Sequence, residues 1–222
     1  MMKTSLPEMY LIDRKSKSFG NIILQSPPCQ SAEPWKLMTL ISSSRSNWIN
    51  RELFRIYHQA HSILARTGST EAKPEVPLMF LIGTKPDGEN RHDTILLDAE
   101  IEKYKDFIVG NYTDIYSNLP FKTLSAYEYV AECEDILPSR IVLQDDDSFL
   151  DLEKATRFNF GNISCFNGAY RYYRPHRYGK YKISISDWPS GYYFPDYCSG
   201  PCTGIDKQTM LAIYKQGMLL KT

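Results

Sequence analysis

Apolar residues recur along this chain in short unbroken runs and in helical spacing, and the two patterns alternate. Trp35 to Ile41 (WKLMTLI) is an apolar-rich run of strand length, closed by the polar cluster Ser42-Ser43-Ser44-Arg45. From Asn50 to Leu64 the positions Leu53, Ile56, Tyr57, Ala60, Ile63 and Leu64 follow the period of an amphipathic helix. Leu78 to Ile82 predicts a second buried strand closed by Gly83, Thr94 to Tyr104 a helix, and Asp106 to Val109 a third strand. Asn118-Leu119-Pro120 opens the next helix, with Asn118 as its cap and proline in a first turn where its missing N–H is tolerated. That helix runs towards Cys133, with Leu124, Tyr127, Tyr129 and Val130 as core contacts. Ser139 to Leu143 is a fourth strand, and it delivers Gln144 and the triplet Asp145-Asp146-Asp147 at its carboxyl end.

Strands alternating with helices imply an α/β domain with a largely parallel sheet, whose ligand lies outside the carboxyl ends of the strands. Residues 1–34, with Pro27-Pro28, are expected to be irregular, and 35–222 to form the domain. Thr67 to Pro77 reads as a loop rich in Gly, Pro and charge. Beyond residue 150 the pattern changes. Tyr170 to Pro175 and Tyr181 to Ile185 predict exposed aromatic strands, and Asp206 to Gln216 a final helix capped by Asp206.

A hydrophobic share of 42% excludes global disorder. Lysine plus arginine and aspartate plus glutamate balance at 26 each, so no bulk field points to nucleic acid or an anionic membrane as partner. Met1 to Gln25 is interrupted by Lys3, Glu8, Asp13, Arg14, Lys15 and Lys17, and nothing there approaches the roughly 18 apolar residues of a crossing helix. Membrane association is therefore expected only through a segment outside this chain.

Three adjacent carboxylates after a buried strand raise one another's proton affinity, and a divalent cation relieves that repulsion. Hard oxygen ligands suit magnesium or manganese, ions that also bridge nucleotide phosphates. A solvated acidic turn is the competing reading of the tripeptide alone. The five cysteines, Cys29, Cys133, Cys165, Cys198 and Cys202, lack zinc-type paired spacing. Asn111-Tyr112-Thr113 and Asn162-Ile163-Ser164 are acceptor tripeptides for N-linked glycans, and with the cysteines they tilt towards an oxidising compartment.

Several blocks, in order, resemble the β-1,3-galactosyltransferase and N-acetylglucosaminyltransferase family, to which the Fringe enzymes are related. They are RSNWINRELFRIYH (45–58), FLIG (80–83), EKYKDFIVGNYTDIYSNLPFKT (102–123), RIVLQDDDSF (140–149) and YYFPDYCSGPCTGID (192–206). Departures from the family's pattern are Gln144 for lysine, Pro120 for threonine and Tyr57-His58 for Thr-Trp. The resemblance implies a glycosyltransferase fold of the A type, Rossmann-like and incomplete at the C-terminus. It also implies a UDP-sugar donor, Mn2+ or Mg2+, a glycan acceptor on protein or lipid, inversion at the anomeric carbon, and the Golgi membrane as location. A cytosolic product is the alternative location. A non-catalytic donor-binding or interaction protein with the same fold is the alternative function.

In that reading Asp147 binds the metal, Asp145 contacts the donor ribose or a metal-bound water, and Asp146 supports metal or sugar. Arg45 and Arg51 lie on the donor side, while Tyr197, Ser199 and Gly200 shape the acceptor side. Asp114 and Lys122 are expected to form a structural pair, and Trp188 to pack. The family's catalytic base lies in an acidic block downstream of the Ser-Gly turn, and is expected beyond Thr222. Cys133, ending the helix before the metal strand, and Cys198, in the turn beside the cleft, form the candidate disulfide, with Cys202 as competing partner.

Overall fold

The computed structural model describes residues 22–25, 36–67, 76–132, 138–159, 161–179, 181–189 and 191–219. Strand β1 (Ile22–Gln25) precedes β2 (Met38–Ser42), helix α1 (Trp48–Thr67), β3 (Leu78–Thr84), α2 (Arg91–Tyr104) and β4 (Phe107–Thr113). A 3₁₀ turn (Tyr116–Asn118) leads into α3 (Leu119–Glu132), followed by β5 (Arg140–Asp145) and α4 (Leu152–Arg157). Short strands β6 (Ile163–Cys165), β7 (Ala169–Tyr170) and β8 (Tyr197–Cys198) come before β9 (Cys202–Asp206) and α5 (Lys207–Leu219).

Seven strands form one sheet in the order β1-β4-β3-β2-β5-β9-β6. β2 is parallel to both β3 and β5, and β3 to β4, while β1 and β9 join antiparallel. The continuous apolar runs suit strands covered on both faces. Alternate residues serve opposite layers: Met38, Leu40, Met79 and Leu81 meet Tyr127 and Tyr129 of α3 and Met210 of α5. Ile41, Phe80, Ile82 and Phe107 meet Phe54 of α1 and Leu97 of α2. From β2 the chain builds outwards through β3 to β4, then returns to place β5 on the other side of β2. In such a sheet the reversal point, here the carboxyl ends of β2 and β5, is where a ligand crevice is expected.

The four predicted central strands and three of the predicted helices appear with shifted ends, and α5 is capped by Asp206, whose Oδ1 accepts from Thr209 N at 2.7 Å. Three expectations change. Ile22–Gln25 is a strand, not irregular, because it pairs with the outer edge of β4. The strands expected at 170–175 and 181–185 reduce to β7, and the rest is irregular chain whose aromatic rings pack on each other. Asn118 caps no helix start; its Nδ2 donates to Thr113 O at 2.8 Å and anchors the turn before α3. Gly83 at the end of β3 lies under the Tyr112 ring, where a Cβ would stand 2.8 Å from a ring carbon.

His58 on α1 is buried beside Thr39 and the Val76 carbonyl, and burial lowers its imidazole from 6.5 to about 4. The unfolded chain therefore binds a proton below pH 6.5 that the folded chain refuses until about pH 4. Stability is full above pH 6.5 and falls as the pH drops through that window. Lowering the pH from 7 to 5 is expected to remove about 2 kcal/mol through this group alone. Urea denaturation of wild type and His58→Gln at both pH values measures it, and an equal acid loss in the variant would assign the effect elsewhere.

Candidate functional site

β2 and β5 end side by side, with Ser42 opposite Asp145. The turn that follows β5 is pinned from both sides. Asp145 N donates to Pro201 O at 2.9 Å, and Asp146 N donates to Ser42 O at 3.2 Å. Within it the three carboxylates part company. Asp146 is 8% exposed, and its Oδ2 accepts from Ser43 Oγ at 2.7 Å, Asn47 Nδ2 at 3.0 Å and Ser44 N at 3.4 Å. Asp145 and Asp147 face solvent. One acid thus clamps the loop between β2 and α1, and its neighbours are presented outwards at the sheet's carboxyl edge.

The arginines support that loop. Arg51 is fully buried, and all five of its N–H groups are engaged inside the protein. Nε and Nη2 reach Glu100 at 2.9 and 2.7 Å, Nη1 reaches Ser43 Oγ at 3.0 Å and Ser44 O at 2.6 Å, and Nη2 also reaches Arg45 O at 3.1 Å. No N–H remains for a phosphate, so the donor contact expected of Arg51 is replaced by a positioning role. Burial alone would raise the Glu100 carboxyl, but hydrogen bonds and charge from Arg51 and Arg55 hold it below the usual range. Arg45 makes a forked pair with Glu89 at 2.7 and 3.1 Å and donates to Gly83 O at 2.9 Å, leaving two N–H groups for a ligand.

Lys122, 5% exposed, bonds Asp114 Oδ1 at 2.7 Å and Ser43 O at 2.9 Å, while Asp114 Oδ2 accepts from Gly83 N at 3.0 Å. This is the structural pair expected of those residues. Ser43, Asn47 and Glu100 were not singled out from the sequence, although Ser43 lies in the polar cluster that ends the first buried run.

On the other side of the acid turn lies an aromatic basin of about 690 Å³, walled by Tyr116, Tyr170, Tyr173, Tyr181, Phe194 and Tyr197 among others. Gly200, whose φ of 42° needs the freedom of glycine, lines it, and the next residue, Pro201, holds Asp145. Ser199 is tied to the 167–168 turn: its Oγ donates to Asn167 O at 2.8 Å and its N to Gly168 O at 2.9 Å. Tyr197 is 38% exposed and stacks near Tyr170, 5.2 Å between ring centroids. Trp188 packs on Phe194 at 4.9 Å, as expected.

Cys198 is bonded to Cys165, which corrects the candidate pairing with Cys133; Cys133 itself lies outside the described residues. Pairing of β6 with β9 and of β7 with β8 brings Cys165 and Cys198 to a Cα separation of 4.9 Å. Cys202 is a buried free thiol, raised to about 11 by burial and by the charge of Asp145.

Among the described residues no group of three or more His, Cys, Asp or Glu side chains converges on a metal position. Magnesium-type ions are often held by one or two carboxylates, with substrate phosphates and water completing the shell. Two exposed carboxylates, Asp145 and Asp147, beside a crevice fit that mode, and Asp146 is already committed to the loop.

The family model described as galactosyltransferase matches residues 45–217, most of the chain, including the acid turn, α1 to α4 and most of α5. The chain belongs to the galactosyltransferase family. It is 31% identical over 137 residues to human UDP-GalNAc:beta-1,3-N-acetylgalactosaminyltransferase 1, covering 57% of this chain and 39% of that protein. It is 29% identical over 144 residues to human N-acetyllactosaminide beta-1,3-N-acetylglucosaminyltransferase 3, covering 63% of this chain and 36% of that one. Mouse beta-1,3-galactosyltransferase 5 is 27% identical over 211 residues, covering 89% of this chain and 62% of the relative. This galactosyltransferase-family chain thus spans about two fifths of the length of the first relatives. No described helix is long and apolar enough to cross a membrane.

Proposed function

We propose that the protein moves galactose or an N-acetylhexosamine from a UDP-sugar to a hydroxyl of a glycan acceptor, forming a β-1,3 linkage with inversion. The observation that carries this reading is the acid turn at the reversal point of the sheet, two carboxylates outward and one clamping inward. The relatives' names supply the linkage and the class of sugar.

Asp147, with Asp145, would hold Mn2+ or Mg2+, and the bound ion would neutralise charge developing on the leaving diphosphate. Asp145 would contact the donor ribose or a metal-bound water. Asp146, Ser43 and Arg51 fix the backbone around them, so that little reorganisation accompanies binding. Arg45 keeps two N–H groups for the donor. Tyr197 and Gly200 line the aromatic basin beside Asp145, where the apolar face of an acceptor sugar would stack and water would be excluded. A Golgi location follows from the same reading.

Calorimetry of UDP binding with and without Mn2+, followed by hydrolysis assays on UDP-galactose, UDP-N-acetylglucosamine and UDP-N-acetylgalactosamine, tests the proposal. Metal-dependent binding with turnover of at least one donor is expected. No binding of UDP in the presence of either metal would overturn it.

A further inference from the structure

Asn162 lies in a bend directly before β6, the outermost strand of the sheet on its β9 side. The residue is exposed, and its tripeptide continues through Ile163, 52% exposed, to Ser164. Nearby Phe158 is 50% exposed, so this edge combines open apolar surface with a strand end, the combination that invites edge-to-edge association. One residue after the tripeptide, Cys165 forms the disulfide with Cys198, a bond that persists in oxidising compartments, where N-linked glycans are also added.

Register settles which end of the sheet is involved. Ile163 lies opposite Ile205, and Ile205 opposite Ile141 at the start of β5. Asn162 therefore sits at the amino ends of the parallel strands, opposite to the acid turn. A bulky group there leaves the crevice open. Asn111 is different: it is exposed, but lies within β4, which is paired on both sides, three residues before Asp114 and on the way to Tyr116 of the aromatic basin. A bend ahead of a short edge strand is the more accessible acceptor of the two.

We propose that Asn162 is an N-glycosylation site whose oligosaccharide covers the β6 edge of the sheet. In the reaction Asn162 Nδ2 bonds to the anomeric carbon of a lipid-diphosphate-linked oligosaccharide. The anomeric C–O bond breaks, the diphosphate leaves with its electron pair, and the amide gives up one proton.

The full chain, carrying a secretion leader, is produced in cultured animal cells and read by glycopeptide mass spectrometry and by its mobility before and after peptide N-glycosidase. Occupancy of residue 162 is expected in most molecules. The mobility shift at this site is expected to vanish in both Asn162→Gln and Ser164→Ala and to persist in Asn111→Gln. An unmodified Asn162 peptide from the unaltered chain would overturn the assignment without recourse to any variant, as would a full shift that survives in Asn162→Gln. Enzymatic removal of the glycan is expected to leave UDP binding within twofold of the untreated protein; a larger change would contradict its placement away from the crevice.

Discussion

Arg51→Ala is expected to lower stability by about 3–5 kcal/mol, a large part of the 5–15 kcal/mol that holds a typical domain together. The reason lies in what the guanidinium leaves behind. Glu100, 9% exposed at its side chain, would keep only Arg55 Nη1 at 2.7 Å to balance its charge. The Arg45 carbonyl would lose its Arg51 donor and Ser43 Oγ one of its partners, while the Ser44 carbonyl would keep Asn47 N at 3.0 Å; polar groups left short of partners are costly. Arg51→Lys should recover little, because an ammonium offers three donors from one point where the site uses five in a plane. Equilibrium denaturation in urea measures the loss. A midpoint within about 0.5 kcal/mol of wild type, the range of ordinary surface substitutions, would show that the network contributes no net stability.

The environment of Arg51 is not written in the residues next to it. Arg51 stands in a block that resembles the family and follows the first strand, so a donor role was its natural expectation. Whether an arginine on a helix faces a ligand or the interior depends on the partner across the gap. Here the partner is Glu100, 49 residues away on α2, and nothing local to Arg51 announces it. The same holds for the cysteines. The match of Cys165 with Cys198 arises from two short antiparallel strand pairs that carry almost no periodic pattern, so the sequence alone does not announce it.

The central layers were legible because their physics is local. Runs such as LMFLI have one strand-like interpretation when both faces are buried, and the spacing from Leu53 to Leu64 has one helical interpretation. That spacing misassigned the buried face of α1, however: Leu53 and Ile56 are exposed at 48% and 54%, while Phe54, Arg51 and His58 lie inside. Residues 170–175 and 181–185 depart from the strand expectation for the opposite reason. Their tyrosines favour strands in general, but they pack ring on ring around a basin, and the ladder there stops at the two-residue β7–β8 pair. The acid turn needed both kinds of information. Its position at a strand end was visible in sequence, but the inward rotation of Asp146 appeared only with Ser43 and Asn47 in place.

The inward and outward acids should therefore respond differently to the same chemical change. Asp147→Ala is expected to weaken Mn2+-dependent UDP binding by ~1,000-fold, about 4 kcal/mol at 1.4 kcal/mol per decade, since each charged ligand shifts metal affinity by decades. Asp147→Asn should lose nearly as much, because the side chain keeps its shape while the charge that would hold the ion disappears. Stability should barely move in either variant, as Asp147 is exposed. Asp146→Asn presents the same oxygen to Ser43, Ser44 and Asn47, so the loop should hold and binding should fall by less than ~10-fold, the loss of one hydrogen bond's worth of energy. Asp146→Ala removes the acceptor for three donors and should reduce both stability and binding. Calorimetry of UDP with and without Mn2+, beside urea denaturation of all four variants, separates these outcomes. Unchanged metal-dependent affinity in Asp147→Ala would remove that residue from the metal site, and a binding defect as deep in Asp146→Asn would place the ligand role on the inward acid instead.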